Sequence, residues 1–181
     1  MTILHPDSNT AIFRPNEIRK LIHAIPKNVN RERFEVLLYT GCRYSELIEV
    51  HGKLDRLDEH TLKIKNTKAL KKSKYRYVQL NNQGLRAVEY YLRSDESLPH
   101  YVSWYDNLKR WCKDAGIDPG GVGLKSTRKT WESWLVTMFP NQIERIFLSQ
   151  GHSRFIALKH YLTLPFTKQD KEDMLFYVEG W

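Results

Sequence analysis

The hydrophobic pattern changes period twice along this chain, and those changes limit the folds open to it. From residue 15 to 50, and again from 85 onward, apolar residues recur at three- and four-residue intervals, the repeat of an amphipathic helix. Between residues 54 and 80 they alternate, in Thr61-Leu-Lys-Ile-Lys and Tyr75-Arg-Tyr-Val-Gln-Leu, which reads as strands of a small antiparallel sheet. A mainly α fold with one small antiparallel sheet (α+β) follows. With 181 residues, 41% of them hydrophobic, the chain suits a single domain with a substantial core.

Local signals divide the helical parts. Residues 1–11 read as an irregular tail. Pro15 opens a helix carrying Ile18, Leu21, Ile22 and Ile25, and Pro26 stops it. A second helix over 31–40 buries Phe34, Leu37 and Leu38, with Gly41 where a helix ends left-handed. A short helix over 45–50 precedes the sheet. Helical patterns return at 85–93 (Leu85, Val88, Leu92) and 103–115 (Trp104, Leu108, Trp111), followed by a Gly- and Pro-rich loop at 116–123. Ser126 or Thr127 caps a helix with Trp131, Trp134, Leu135 and Met138, and another covers 141–149. Gly151 breaks the pattern, Ser153 caps a helix through Tyr161, and Pro165 precedes a last amphipathic segment.

Charge narrows the partners. Lys and Arg number 29 against 21 Asp and Glu, a net charge of +8, which favours nucleic acid or an anionic membrane. Cys42 and Cys112 fit no metal or disulfide spacing, so a reducing compartment and no metal centre are expected. No apolar run approaches membrane-spanning length, and MTILHPDSNT lacks the features of a signal peptide, so the expected location is the cytoplasm.

Four clusters carry candidate chemistry. In TGCRYSELIEV, Arg43 follows a glycine break and Glu46 lies three residues on; an arginine there is most often a surface charge or a partner for a local carboxylate. In LKSTRKTWESWL, Lys125 and Arg128 share one face at the first turn of a helix, where two cations are unfavourable unless an anion such as phosphate lies between them. In LSQGHSRFIALKHYL, Tyr161 follows His152 by nine residues, which puts them on opposite faces of one continuous helix. Cooperation therefore requires His152 to lie outside it. Lastly, Lys63, Lys65, Lys68, Lys71, Lys72 and Lys74 crowd the hairpin, either as a phosphate-backbone contact or as a solvated edge defence.

Taken in order, these pieces resemble the catalytic domain of the tyrosine recombinases, the phage-integrase family, over roughly residues 12–165. Arg43 matches the family's TGxRxSEL arginine, and Arg76-Tyr77-Val78-Gln79-Leu80 its R-x-V-x-L strand. Lys125 and Arg128 fall on its HxxR box, His152 on its LGHS segment and Tyr161 on its nucleophilic tyrosine. Lysine in place of the HxxR histidine resembles archaeal viral and plasmid integrases. The resemblance implies a site-specific recombinase that cuts and rejoins DNA through a 3′-phosphotyrosyl intermediate without a cofactor. Its catalytic residues would be Arg43, Lys68, Lys125, Arg128, His152 and Tyr161, with Lys65, Lys71, Lys72 and Lys74 on the DNA. Lys68 follows the strand in the family manner, whereas counting back from Arg76 gives Lys71 as the hairpin lysine.

Side-chain chemistry agrees with those roles. Arginines stay charged and grip phosphate bidentately, whereas a tyrosine with a pKa near 10 is about one part in a thousand ionised at pH 7 and needs help to become a nucleophile. The resemblance further implies double-stranded DNA as partner, a monomer when free and a homo-tetramer on DNA, and association with the host nucleoid. Because the catalytic pattern starts almost at once, the family's N-terminal core-binding domain is expected to be missing or reduced. Residues 168–181 are expected either to dock on a partner or to pack on their own core. Topoisomerase-like relaxation and non-catalytic DNA binding are the competing functions.

Overall fold

The structure, a computed structural model, describes residues 2–65, 75–152, 161 and 163–181. The hairpin residues Lys68, Lys71, Lys72 and Lys74, and the helix expected from Ser153, lie outside the described residues. Helix α6 (Ser126–Met138) is the centre of the fold. Ser126, Thr127 and Arg128, and every residue from Thr130 to Val136, are buried on it, including Trp131 and Trp134. A helix enclosed on nearly all sides must satisfy its polar groups internally. Accordingly the Ser133 hydroxyl donates to Lys129 O, and Thr130 Oγ1 accepts from Phe13 N at 2.9 Å.

Helices α1 (Pro15–Ala24), α2 (Asn28–Thr40) and α3 (Tyr44–Val50) precede the sheet, and α4 (Asn82–Arg93) and α5 (Tyr101–Asp114) follow it. After α6 come a short 3-10 turn at Pro140–Gln142, then α7 (Ile143–Gln150) and α8 (Lys168–Val178). Side chains of Asn81, His100 and Thr167 cap α4, α5 and α8. The expected cap of α6 is not formed. Lys125 occupies the flanking position, and the Ser126 hydroxyl instead turns back to accept from Gly123 N at 3.0 Å.

The N-terminal residues correct the expectation of an irregular tail. Strands β1 (Ile3–Leu4) and β2 (Ala11–Ile12) pair antiparallel, with Ile3 opposite Ile12. The following residue, Phe13, is clamped to α6 through Thr130 and through Trp134 Nε1, which donates to Phe13 O at 3.1 Å. Ala11, Ile12 and Phe13 are wholly buried, so this hairpin is part of the core.

The main sheet has the order β3 (Leu57–Asp58), β4 (Thr61–Lys65), β5 (Tyr75–Gln79), all antiparallel. Leu62, Ile64, Arg76 and Val78 face inward, and Lys65 is exposed opposite Tyr75. The C-terminal segment packs on its own core. Met174, Tyr177, Val178 and Trp181 are buried, Asn81 Nδ2 donates to Tyr177 O, and Leu175 and Phe176 face solvent. Both cysteines are free and buried, and among the described residues no helix is long and apolar enough to cross a membrane.

Two glycines terminate helices in the left-handed conformation at places where the chain passes close to other side chains. Gly41 (φ 57°) ends α2 and Gly151 (φ 64°) ends α7. A Cβ at Gly151 would lie 2.4 Å from Arg76 Cδ. Gly151→Ala is therefore expected to destabilise the fold by at least about 1 kcal/mol from backbone conformation alone, with more from displacing Arg76. A lower urea midpoint at unchanged m-value is the measurement that checks it.

Candidate active site

Arg43 is placed by the turn at the end of α2. After left-handed Gly41 the chain reverses and starts α3, with Arg43 at the flanking position and its backbone N–H donating to Glu46 Oε2 at 2.8 Å. The same glutamate accepts from the Arg43 guanidinium at 2.6 Å and from Arg76 Nη2 at 2.6 Å. Arg76 also donates through Nη1 to Ser149 O at 2.7 Å, tying β5 to the end of α7. Burial alone would raise the Glu46 pKa, but the Arg76 charge and the Arg43 hydrogen bond reverse this and hold it below the usual carboxylate range.

Arg128 is fixed more tightly still. Its Nη1 donates to Gly41 O at 2.8 Å and its Nη2 to Gln150 O at 2.5 Å, so one guanidinium joins the C-terminal ends of α2 and α7. Positive charge at two helix C-termini is favourable. Its Nε lies 2.8 Å from Glu132 Oε1, one turn along α6. Of the five N–H groups of an arginine this arrangement leaves others to meet a ligand.

Glu132 is fully buried and draws the remaining groups together. His152, just past the Gly151 break, places Nε2 2.9 Å from Glu132 Oε1, and the Tyr161 hydroxyl donates to Glu132 Oε2 at 2.7 Å. Lys129 Nζ donates to the Tyr161 hydroxyl at 2.8 Å and sits 3.2 Å from His5 Nε2. Burial would raise the Glu132 pKa, yet Arg128 and then the His152 hydrogen bond hold it at about 2. Tyr161 responds oppositely. Burial first, and then the negative Glu132, push its ionisation well above the ordinary tyrosine value. Burial also lowers the Lys129 pKa, with Arg128 and Lys125 adding to the effect and Glu132 opposing it.

These groups border a cleft of about 570 Å³, whose wall includes Arg43, Lys125, Arg128, Lys129, Glu132 and His152. Lys125 is exposed, and Tyr161 is buried beside the cleft, one hydrogen bond from Glu132 and Lys129. The structure thus brings Arg43, Lys125, Arg128, His152 and Tyr161 to one region. Lys65 lies apart from this wall, on β4. Cationic and hydrogen-bonding groups held around a concave surface suit a phosphate or another oxyanion. Among the described residues no cluster of three or more His, Cys, Asp or Glu could hold a metal ion.

Residues 11–168 match the phage integrase family. The chain belongs to that family. Its fold is shared with solved members and relatives: XerA recombinase is 19% identical, with a TM-score of 0.66 over 91% of this chain and 64% of that one. The Tn1549 transposon integrase in complex with circular intermediate DNA is 15% identical, with a TM-score of 0.66 over 91% of this chain and 66% of that one. The catalytic domain of bacteriophage HP1 integrase is 19% identical, with a TM-score of 0.59 over 84% of this chain and 86% of the other. The chain therefore spans just under two thirds of the length of the XerA structure it matches. No curated protein sequence matches it.

Three residues of this integrase-family site had no place among the sequence candidates. Glu132 stands four residues after Arg128, a spacing that joins opposite charges on a helix, but it sits in an apolar run and draws no notice alone. Lys129 is adjacent to Arg128, and His5 comes from the segment read as a tail.

Because the folded-state pKa of Glu132 lies near 2, below the value of 4.5 of a free carboxyl, its stabilising charge is fully present above about pH 4.5 and is lost as pH falls toward 2. That linkage is worth roughly 3 kcal/mol. Glu132→Gln is expected to cost about 3–5 kcal/mol at pH 7 by leaving Arg128 buried without its carboxylate. The gap to wild type should narrow in urea titrations run at successively lower pH through that window.

Proposed function

We propose that this chain is the catalytic portion of a site-specific DNA recombinase or integrase that cuts and rejoins duplex DNA through Tyr161. The carrying observation is that Arg128, His152 and the Tyr161 hydroxyl share one buried carboxylate, Glu132, while Arg43 and Lys125 line the same cleft. In this reading Arg43, Arg128, Lys125 and His152 hold the non-bridging oxygens of a phosphodiester, where negative charge grows as the nucleophile attacks. The Tyr161 oxygen bonds to phosphorus and the bond to the 5′ oxygen breaks. A hairpin lysine, Lys68 or Lys71, gives that oxygen its proton, and the 3′ phosphate stays on the tyrosine. Attack by a 5′ hydroxyl from a second strand reverses the step and completes exchange.

The net charge of +8 and the solved DNA complex of the Tn1549 transposon integrase support double-stranded DNA as the partner. Lys65, Lys71, Lys72 and Lys74 would contact its backbone. Free monomers would assemble as a homo-tetramer on the DNA, in the cytoplasm at the host nucleoid, on a mobile element such as an archaeal virus or plasmid.

Nicked suicide duplexes drawn from a random-sequence pool and incubated in EDTA test this directly. Wild type is expected to form a detergent-resistant protein–DNA adduct that Tyr161→Phe reduces to background. Its binding should weaken steeply between about 50 and 200 mM salt. Equal adduct from both proteins would remove Tyr161 as nucleophile. DNA binding with no adduct from either would favour a non-catalytic accessory protein, and relaxation of supercoils without strand exchange would favour a topoisomerase.

A further inference from the structure

The sequence provides lysine where the family pattern has the HxxR histidine, and Lys125 is exposed at the cleft wall rather than against the tyrosine. The phenolic proton therefore needs another acceptor. Among the described residues, two groups touch the Tyr161 hydroxyl, Glu132 at 2.7 Å and Lys129 at 2.8 Å. Glu132 is unsuited to the task. Its pKa of about 2 makes transfer from a phenol of ordinary acidity about eight powers of ten uphill. An amine starts far closer to a phenol, since lysine and tyrosine have ordinary pKa values near 10.4 and 10. Burial then moves Lys129 down and Tyr161 up, a gap that a bound phosphate has to offset at Lys129.

The contacts around Lys129 accommodate an uncharged amine. The backbone N–H of Asp7 donates to His5 Nδ1 at 3.3 Å. A neutral imidazole that accepts at Nδ1 carries its proton on Nε2. In that tautomer Nε2–H faces Lys129 Nζ at 3.2 Å, where Nζ accepts through a lone pair that an ammonium lacks. The His5 ring also meets Tyr161 edge-on, with centroids 5.2 Å apart. Among the described residues, the charged or titratable groups around the amine are His5 and Asp7 from the N-terminal hairpin, Lys125 just before α6, Arg128 and Glu132 on it, and Tyr161. Burial and the two neighbouring cations favour the neutral form, against Glu132 and Asp7.

We propose that Lys129 is the proton acceptor for Tyr161, with His5 as the residue that positions its amine. The inference rests on the recombinase reading above. The phenolic O–H turns from Glu132 to Lys129, and the amine lone pair turns from His5 to meet it. As the Tyr161 oxygen bonds to phosphorus, its proton passes to Nζ to form an ammonium. The bond from phosphorus to the 5′ oxygen breaks, and that oxygen takes a proton from the hairpin lysine. In the rejoining step the ammonium returns its proton to Tyr161. A phosphate seated on Arg128 and Lys125 offsets the positive charge that disfavours protonation of Lys129, so the amine becomes a stronger base once DNA is in place.

The test is single-turnover cleavage of the nicked duplex pool in EDTA across a pH series, with wild type, Lys129→Ala and Lys129→Arg. Wild-type cleavage should rise with pH along a limb set by the amine. Lys129→Ala should cleave about 100-fold or more slowly, lose that limb, and regain rate with added primary amines in proportion to their basicity. Lys129→Arg, which keeps a long hydrogen-bond-donating side chain but is fixed in the charged form and accepts no proton, should fold and bind DNA and still fail to cleave. Cleavage by Lys129→Arg within about threefold of wild type, with the limb intact, overturns the inference. So does a slow Lys129→Ala that amines leave unrescued. If wild type itself forms no adduct, the recombinase reading falls and this inference with it, whereas an active wild type beside an equally active Lys129→Arg removes the inference alone.

Discussion

A single buried carboxylate organises this molecule. Glu132 has no exposed surface, and an ionised carboxylate taken out of water is tolerable only when it is paired and hydrogen-bonded. The fold meets that demand from three directions: Arg128 from the same helix, His152 from beyond α7, and Tyr161 from the following segment. Each is held where the candidate chemistry needs it because the carboxylate needs it there. Arg128 extends the constraint outward by bonding to the last carbonyls of α2 and α7, so the relative placement of three helices depends on one side chain.

Glu46 repeats the device on the other side of the cleft. It is wholly buried, pairs with Arg43 and Arg76, and through Arg76 reaches Ser149 O. The two ionic systems meet at the end of α7, where Ser149 accepts from one and Gln150 from the other. Gly151 then has to turn the chain left-handed, with no Cβ, past the stem of Arg76. The short glycine break before His152 is thus a packing requirement of a neighbouring arginine as well as a helix stop.

The parts of this arrangement that the sequence reveals are those with a local signature. Gly41 and Gly151 announce helix ends, the alternation of 61–65 and 75–79 announces strands, and the arginines stand out by position beside those breaks. Tyr161 and His152 become connected only through the family resemblance, since nine residues of helix would separate them. The N-terminal hairpin escapes because its strands are two residues long, too short for any period, and its anchors, Thr130 and Trp134, lie well over a hundred residues away. Glu132 escapes for a different reason. Charge is read as exposure, and only its partners, spread over three segments, make it a core residue.

The distribution of paired and exposed charge explains how so many cationic groups can line one cleft without collapsing. Arg43 and Arg128 each have a protein carboxylate, so their guanidiniums are fixed in direction before any ligand arrives. Donors held in advance need no reorganisation as charge develops on a phosphate, and that is the condition under which they contribute most. The glutamates do not cancel the cleft's attraction, because Lys125 stays exposed on its wall and the whole chain keeps a charge of +8. Orientation comes from the buried ion pairs and attraction from the unburied cations. Separating the two lets the tyrosine stay protonated beside a negative carboxylate.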